Sequence, residues 1–106
     1  MKEKNNYGMM SGGFIFDALD RFALEQVRVR YNIPKKTPLV TTSVFIKYSR
    51  QLCNKKYTLF CDSIEKRDAF ESRPYYDCAA EIRDSDGLTI AKATFTFTPT
   101  TNHCLL

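Results

Sequence analysis

From Phe14 to about Tyr31 the chain carries neither Gly nor Pro, and its apolar positions recur at helical spacing. Projected at about 100° per residue, Asp17, Arg21, Glu25 and Arg28 share one polar stripe, and most other positions are apolar. So narrow a polar stripe predicts a largely buried helix, roughly 18 residues and about 27 Å long. Ser11 is a good N-cap, and Asp17 and Asp20 in the first turns favour the positive end of the helix dipole. The helix should stop before Asn32-Ile33-Pro34, because proline disfavours helix in the residue before it. Residues 1–11 are polar, contain Asn5, Asn6 and Gly8, and read as a loop.

Four runs of strand-like composition follow. Leu39 to Tyr48 puts Val40, Val44, Ile46 and Tyr48 on one face. Tyr57 to Lys66 then puts Tyr57, Leu59 and Cys61 on one face, with Phe60 and Ile64 on the other. Tyr75 to Arg83 groups Tyr76, Cys78, Ala80 and Ile82, and Leu88 to Thr98 groups Ala91, Ala93, Phe95 and Phe97. Between the last two, Asp84-Ser85-Asp86-Gly87 carries the Asp-Gly signature of a tight hairpin. Strands of about ten residues are long, so the sheet should curve strongly.

One long helix followed by four antiparallel strands is an α+β arrangement. Ala80, Ala91 and Ala93 would let the helix approach a sheet that wraps around it. Two architectures fit, the hotdog fold and the cystatin-like fold. A cystatin-type inhibitor should carry a Gln-x-Val-x-Gly wedge on its first hairpin, and no such run occurs.

Composition narrows the picture only slightly. A chain of 106 residues, 43% apolar and 26% charged, has material for one domain spanning 1–106 with its core in 11–98. So short a chain buries a modest fraction of its surface, and dimerisation would bury more. The net charge of +4 comes from scattered Lys and Arg. It suits an anionic ligand such as a nucleotide with phosphates as well as it suits nucleic acid, and is as readily simple solubility. Cys53, Cys61, Cys78 and Cys104 form no CxxC and no zinc-finger pairing with the lone histidine, so they read as reduced thiols with no metal. No run reaches the roughly 18 continuous apolar residues of a membrane span. The start of the chain lacks the apolar core of a secretory signal, and Cys104 sits third from the end where a prenylation box needs fourth. The expectation is an intracellular protein, cytoplasmic or mitochondrial, without a cofactor.

Asp20 departs from this ordinary picture. On the helical projection it lies among Phe16, Ala23, Leu24 and Val27, a carboxylate inside an apolar stripe. Burying a charge without partners is costly, so such a residue is paired, set at a rim, or functional. Gly12-Gly13 at the helix start leaves backbone N–H groups bare and approachable with the dipole behind them, as an oxyanion hole requires. Taken alone, the same pair is an ordinary loop-to-helix turn.

The run Ser11-Gly12-Gly13-Phe14-Ile15-Phe16-Asp17-Ala18-Leu19-Asp20 resembles the His-Gly-Gly-x-x-x-x-x-x-Asp motif of hotdog acyl-CoA thioesterases, notably the phenylacetate-pathway and thioesterase-superfamily-member groups. Val40 to Arg50, with Tyr48-Ser49-Arg50 at its end, looks like that family's next strand. Glu81 to Ala93 is similar to its last hairpin, an Asp-Gly turn followed by small residues. The resemblance covers residues 11–98 and implies a hotdog domain that hydrolyses acyl-CoA thioesters.

Carried over position by position, Asp20 matches the catalytic carboxylate, as general base for water or as nucleophile. Gly13, alone or with Gly12, matches the donor that polarises the thioester carbonyl. Thr41 falls where some members place a Ser or Thr that helps hold the attacking water. Ser11 occupies the position of the motif's histidine. Only about ten residues precede the motif, so the family's first strand is expected to be missing.

Gly13 and Asp20 are seven residues apart, about 10 Å along a helix, so one subunit cannot bring both to one carbonyl. A partner's helix alongside could, and the family's site does lie at a two-fold interface. The expected assembly is therefore a homodimer or a dimer of dimers. Arg50, Lys55, Lys56, Lys66 and Arg67, near strand ends, are the candidates for the phosphates of coenzyme A. Each is as readily an ordinary solvated charge. Two other readings remain: a non-catalytic hotdog module that binds acyl-CoA or a protein partner, and a nucleic-acid binder using strand aromatics. The last fits poorly, because an RNA-recognition sheet needs two helices and only one is predicted.

Overall fold

The computed structural model describes residues 12–52, 56–68 and 73–100. Helix α1 spans Gly12–Tyr31, and strands β1 (Leu39–Tyr48), β2 (Tyr57–Asp68), β3 (Pro74–Asp84) and β4 (Thr89–Pro99) follow. The strands form one antiparallel sheet in the order β1-β4-β3-β2, which leaves β1 and β2 at its edges among the described residues.

The helix opens at Gly12 with no acidic residue in its first turn, so Asp17 and Asp20 come too late for strong support from the dipole. It closes on Asn32, whose φ of 55° is left-handed, while Ile33 N–H reaches back to the Arg28 carbonyl at 2.9 Å. Arg28 does not stay in a solvated stripe. Its guanidinium donates to the carbonyls of Pro34 at 2.7 Å and Thr37 at 3.0 Å, fixing the turn into β1.

Ile15, Leu19, Ala23 and Val27, spaced four apart, are the buried positions of α1. They settle on Cys78, Ala80 and Ile82 of β3 and Ala91, Ala93, Phe95 and Phe97 of β4, all within the same apolar core. Ala80 pairs directly with Ala93, and Ile82 with Ala91, so the centre of the sheet is shallow where the helix crosses it. At the β3–β4 hairpin Gly87 takes φ 84°, and the Asp84 carboxylate accepts from Asp86 N–H at 2.9 Å and Leu88 N–H at 3.0 Å. That is the turn the Asp-Gly pair predicts.

Three expectations need correction. Val40 pairs with Thr98, whereas Val44, Ile46 and Tyr48 pair with the core-facing Phe95, Ala93 and Ala91. Directly opposed residues share a face, so Val40 stands on the opposite one, and an irregularity between Thr41 and Ser43 causes the switch. Likewise Ile64 pairs with the buried Cys78 and joins Leu59 and Cys61 over the core, because the register slips between Cys61 and Ser63. Lastly, α1 is not largely buried in a single chain. Phe14, Phe16, Phe22 and Leu24 are half-buried, and Val29 is 66% exposed.

Candidate functional site

The flanks of α1 are unequal. On one, Phe14 meets Tyr57 of β2 edge-on at 5.9 Å. On the other, Phe16 meets Phe95 of β4 edge-on at 5.7 Å. Asp20 lies one turn beyond Phe16 and shares its stripe, so it sits on the flank toward β4 and β1. That side of the sheet is uncovered: β1 presents Val44, 37% exposed, and Tyr48, 46% exposed, on the face that elsewhere carries the core.

The Asp20 carboxyl is half-buried and its pKa is raised above the ordinary 3.8. Burial is the largest cause, the nearby Asp17 charge adds to it, and Arg21 opposes it. Arg21 offsets little because its guanidinium is held by Asp17 at 3.1 Å, one turn back. A carboxylate kept partly desolvated holds its charge less comfortably and accepts a proton more readily, as a general base must.

Gly12 and Gly13 are both exposed at the start of α1. Tyr48, at the end of β1, donates its hydroxyl to the Gly12 carbonyl at 3.0 Å, and its ring would meet a Cβ placed on Gly12 at 3.7 Å. The helix N-terminus is thereby tied to the edge strand. In the sequence Tyr48 stands out only as part of the motif that ends β1, with no role in the site. A contact across 36 residues has no local signature.

Sheet register locates the remaining candidates. Phe16 meets Phe95, and Tyr31 meets Tyr76 at 4.9 Å between ring centroids, so Asp20 falls between those two levels of the sheet. Tyr76 pairs with Phe97 and Phe97 with Thr41, so the exposed Thr41 belongs to the level toward the end of the helix. Thr41 and Tyr48 are seven residues apart, about 23 Å of strand. Thr41 therefore shares the Asp20 half of the sheet, and Gly12 the other half.

The cations divide into two groups. Arg50 donates its N–H to Ile90 O at 3.2 Å and comes two residues after Tyr48, at the end of the sheet where the helix begins. Lys56, just before β2, lies at that end too, since Tyr57 packs on Phe14. Lys66 and Arg67 lie at the far end of β2, about 33 Å along the strand. There the Arg67 guanidinium is bound to Asp77, with one hydrogen bond of 3.1 Å, and stacks over Tyr75 at 5.4 Å. Ser11 and Lys55 lie outside the described residues.

No helix among the described residues is long and apolar enough to cross a membrane. No family model matches the sequence, and no curated protein matches it. Solved structures do match. BH2602 from Bacillus halodurans, crystallised with CoA, is similar at a TM-score of 0.75 and 19% identity, over 95% of this chain and 62% of that one. A hypothetical thioesterase from Streptococcus pneumoniae with coenzyme A is similar at a TM-score of 0.65 and 22% identity, over 92% of this chain and 72% of its own. Thioesterase HI1161 from Haemophilus influenzae is similar at a TM-score of 0.63 and 12% identity, over 97% of this chain and 68% of its own. One helix laid across a curved four-stranded antiparallel sheet, with these matches covering nearly all of the chain, is the hotdog fold.

Proposed function

We propose that the protein hydrolyses acyl-CoA thioesters as a homodimer whose active sites lie between subunits. The observation that carries this reading is Asp20, a half-buried carboxyl with a raised pKa, set on the helix flank that looks across the open face of β1. Neighbours with CoA bound support the substrate class. In this scheme Asp20 draws a proton from water, or attacks directly, at the thioester carbonyl. The N–H of Gly13, assisted by Gly12, stabilises the oxyanion. Expulsion of the CoA thiolate leaves the free carboxylic acid on the water route. On the direct route it leaves an acyl-Asp20 anhydride, which a water then cleaves to the acid and free Asp20. Thr41 steadies the attacking water.

Gly13 and Asp20 cannot converge within one helix, being about 10 Å apart along it. A second copy placed against β1 would bring its own helix start toward the first copy's Asp20. The uncovered Val44 and Tyr48, together with a strand edge that has no neighbour among the described residues, support β1 as the place of contact. Arg50 and Lys56, at the helix N-terminal end, are the cations of the proposed set that could share one CoA.

Thiol release from short, long and aromatic acyl-CoAs, measured with the native chain and with Asp20→Asn, tests the reading. Turnover that disappears in a folded Asp20→Asn dimer is the expected result. A monomer by analytical ultracentrifugation at micromolar concentration would refute the shared site. The second reading is a non-catalytic module that binds acyl-CoA, and Ser11 at the histidine position of the motif favours it. Tight acyl-CoA binding by a folded dimer with no turnover on any substrate would decide for that reading.

A further inference from the structure

Cys61 and Cys78 have no part in the thioester chemistry, yet the fold places their sulfurs 3.9 Å apart on neighbouring strands. Their positions are unequal. Cys78 is fully buried beneath the helix, and burial together with the adjoining Cys61 pushes its thiol up to about 12, so it stays protonated. Cys61 is half-exposed and opens into a groove of about 530 Å³ between α1 and β2, lined by Gln26, Val29, Arg30, Ser63 and Ile64. Small oxidants can therefore reach Cys61, whereas the fully buried Cys78 has its sulfur beside that of Cys61 and no exposed surface.

The approach of the two sulfurs follows from the pairing of Cys61 with Ala80, two residues along β3 from Cys78 and on the same face. Ile64 pairs with Cys78, and the extra residue at Asp62 brings it to the face that Cys61 and Cys78 share. Cys61 and Cys78 are then diagonal neighbours. A disulfide needs a sulfur separation of about 2.05 Å, so each sulfur has to travel roughly 1 Å. That is within reach of side-chain rotation and a small shift of β2, which among the described residues pairs with β3 alone.

We infer that Cys61 and Cys78 form a thiol-oxidation site that takes a hydroperoxide. In the first step the Cys61 sulfur attacks the peroxide, the O–O bond breaks, and Cys61 becomes a sulfenic acid while the hydroperoxide leaves as its alcohol, or as water from hydrogen peroxide. In the second step the Cys78 sulfur bonds to the Cys61 sulfur, the S–O bond breaks, and the hydroxyl departs as water with the Cys78 proton. The two thiols have then given two electrons to the peroxide, and the product is a cross-strand disulfide that staples β2 to β3. A thiol reductant of the dithiothreitol type reverses it.

The test is independent of any turnover on acyl-CoA. A full-length Cys53→Ser/Cys104→Ser variant, which keeps only this pair, is treated with hydrogen peroxide, alkylated and digested with trypsin. The expected product is one crosslinked species joining the peptides of Cys61 and Cys78, lighter than their sum by two hydrogens and separated by reductant. In the Cys61→Ser variant Cys78 should remain fully alkylatable after unfolding, because its oxidation runs through Cys61. Cys61 driven to the sulfinic acid with Cys78 still reduced would overturn the inference, and so would two free thiols after a peroxide dose that oxidises the unfolded chain.

Discussion

Replacing Asp20 by Asn changes one atom and removes one charge, so its effects separate chemistry from packing. The carboxyl lies half-buried one turn from Phe16, and its pKa stands above 3.8 chiefly through burial. If it serves as general base, losing it should lower kcat by about 10²- to 10⁴-fold, equivalent to about 2.7–5.5 kcal/mol of activation free energy. Stability should move the other way. A carboxyl whose pKa is raised on folding binds its proton more tightly in the native state than in the unfolded chain. Its contribution therefore weakens as pH rises from the ordinary value through the folded one, and at neutral pH the charge costs stability. The Asn variant should then be at least as stable as the native chain at pH 7, with the difference closing below about pH 4. Thiol release against pH should show the native acid limb above the ordinary carboxylate range, and thermal unfolding at pH 4 and 7 gives the second arm. An Asn variant with undiminished turnover would refute the role of Asp20. One that is inactive but unfolded at pH 7 would refute the claim that the charge is an unfavourable presence in the fold.

Three further outcomes follow from the same geometry. Gly12→Ala places a methyl at ordinary contact distance, 3.7 Å, from the Tyr48 ring, so thermal stability should hold while kcat/KM on acyl-CoA falls as the carbonyl loses its close approach to the backbone. Leu19→Ala empties a fully buried position under the sheet and should cost about 2–5 kcal/mol, read as a lower urea midpoint at unchanged slope. Asp77 is held below the ordinary carboxylate range, first by its hydrogen bond from Arg67 and then also by Thr96. Its stabilisation is therefore present above about pH 4 and lost as pH falls through the folded value, so Asp77→Asn should flatten the acid limb of a Tm-against-pH curve.

The helix and all four strands were legible because their apolar spacing is long and regular, and each observed strand lies within two residues of the predicted run. Face assignments failed at two places for one reason. Alternation is a parity argument, and one inserted residue reverses the parity of everything beyond it. Thr42 gives no warning of the first slip, being a good strand former whose hydroxyl donates to Thr96 O at 3.2 Å. Asp62 was the available clue to the second, since Asp is depleted in strand interiors. At the site, Asp20 was visible because it broke an apolar stripe. The tie from Tyr48 to Gly12 was not, because it joins residues distant in sequence. The five basic candidates looked equivalent as strand-end charges, and only the sheet order separates Arg50 from Arg67.

The misjudged burial of α1 and the openness of β1 have a common physical origin. The apolar surface of the helix exceeds what a four-stranded sheet can cover, since Phe16 and Leu24 remain half-open after Ile15, Leu19, Ala23 and Val27 are buried. On the same side, β1 carries Val44, Ile46 and Tyr48 on its core-facing side, where the helix makes little contact with it. Two partly exposed apolar surfaces that meet at a free strand edge are a poor end state for a monomer and a natural one for half of a symmetric pair. Asp20 lies on this flank. Covering it with a second copy would desolvate the carboxyl further and raise its pKa beyond the value held in one chain. On the proposed reading, assembly therefore both completes the oxyanion donor and tunes the base.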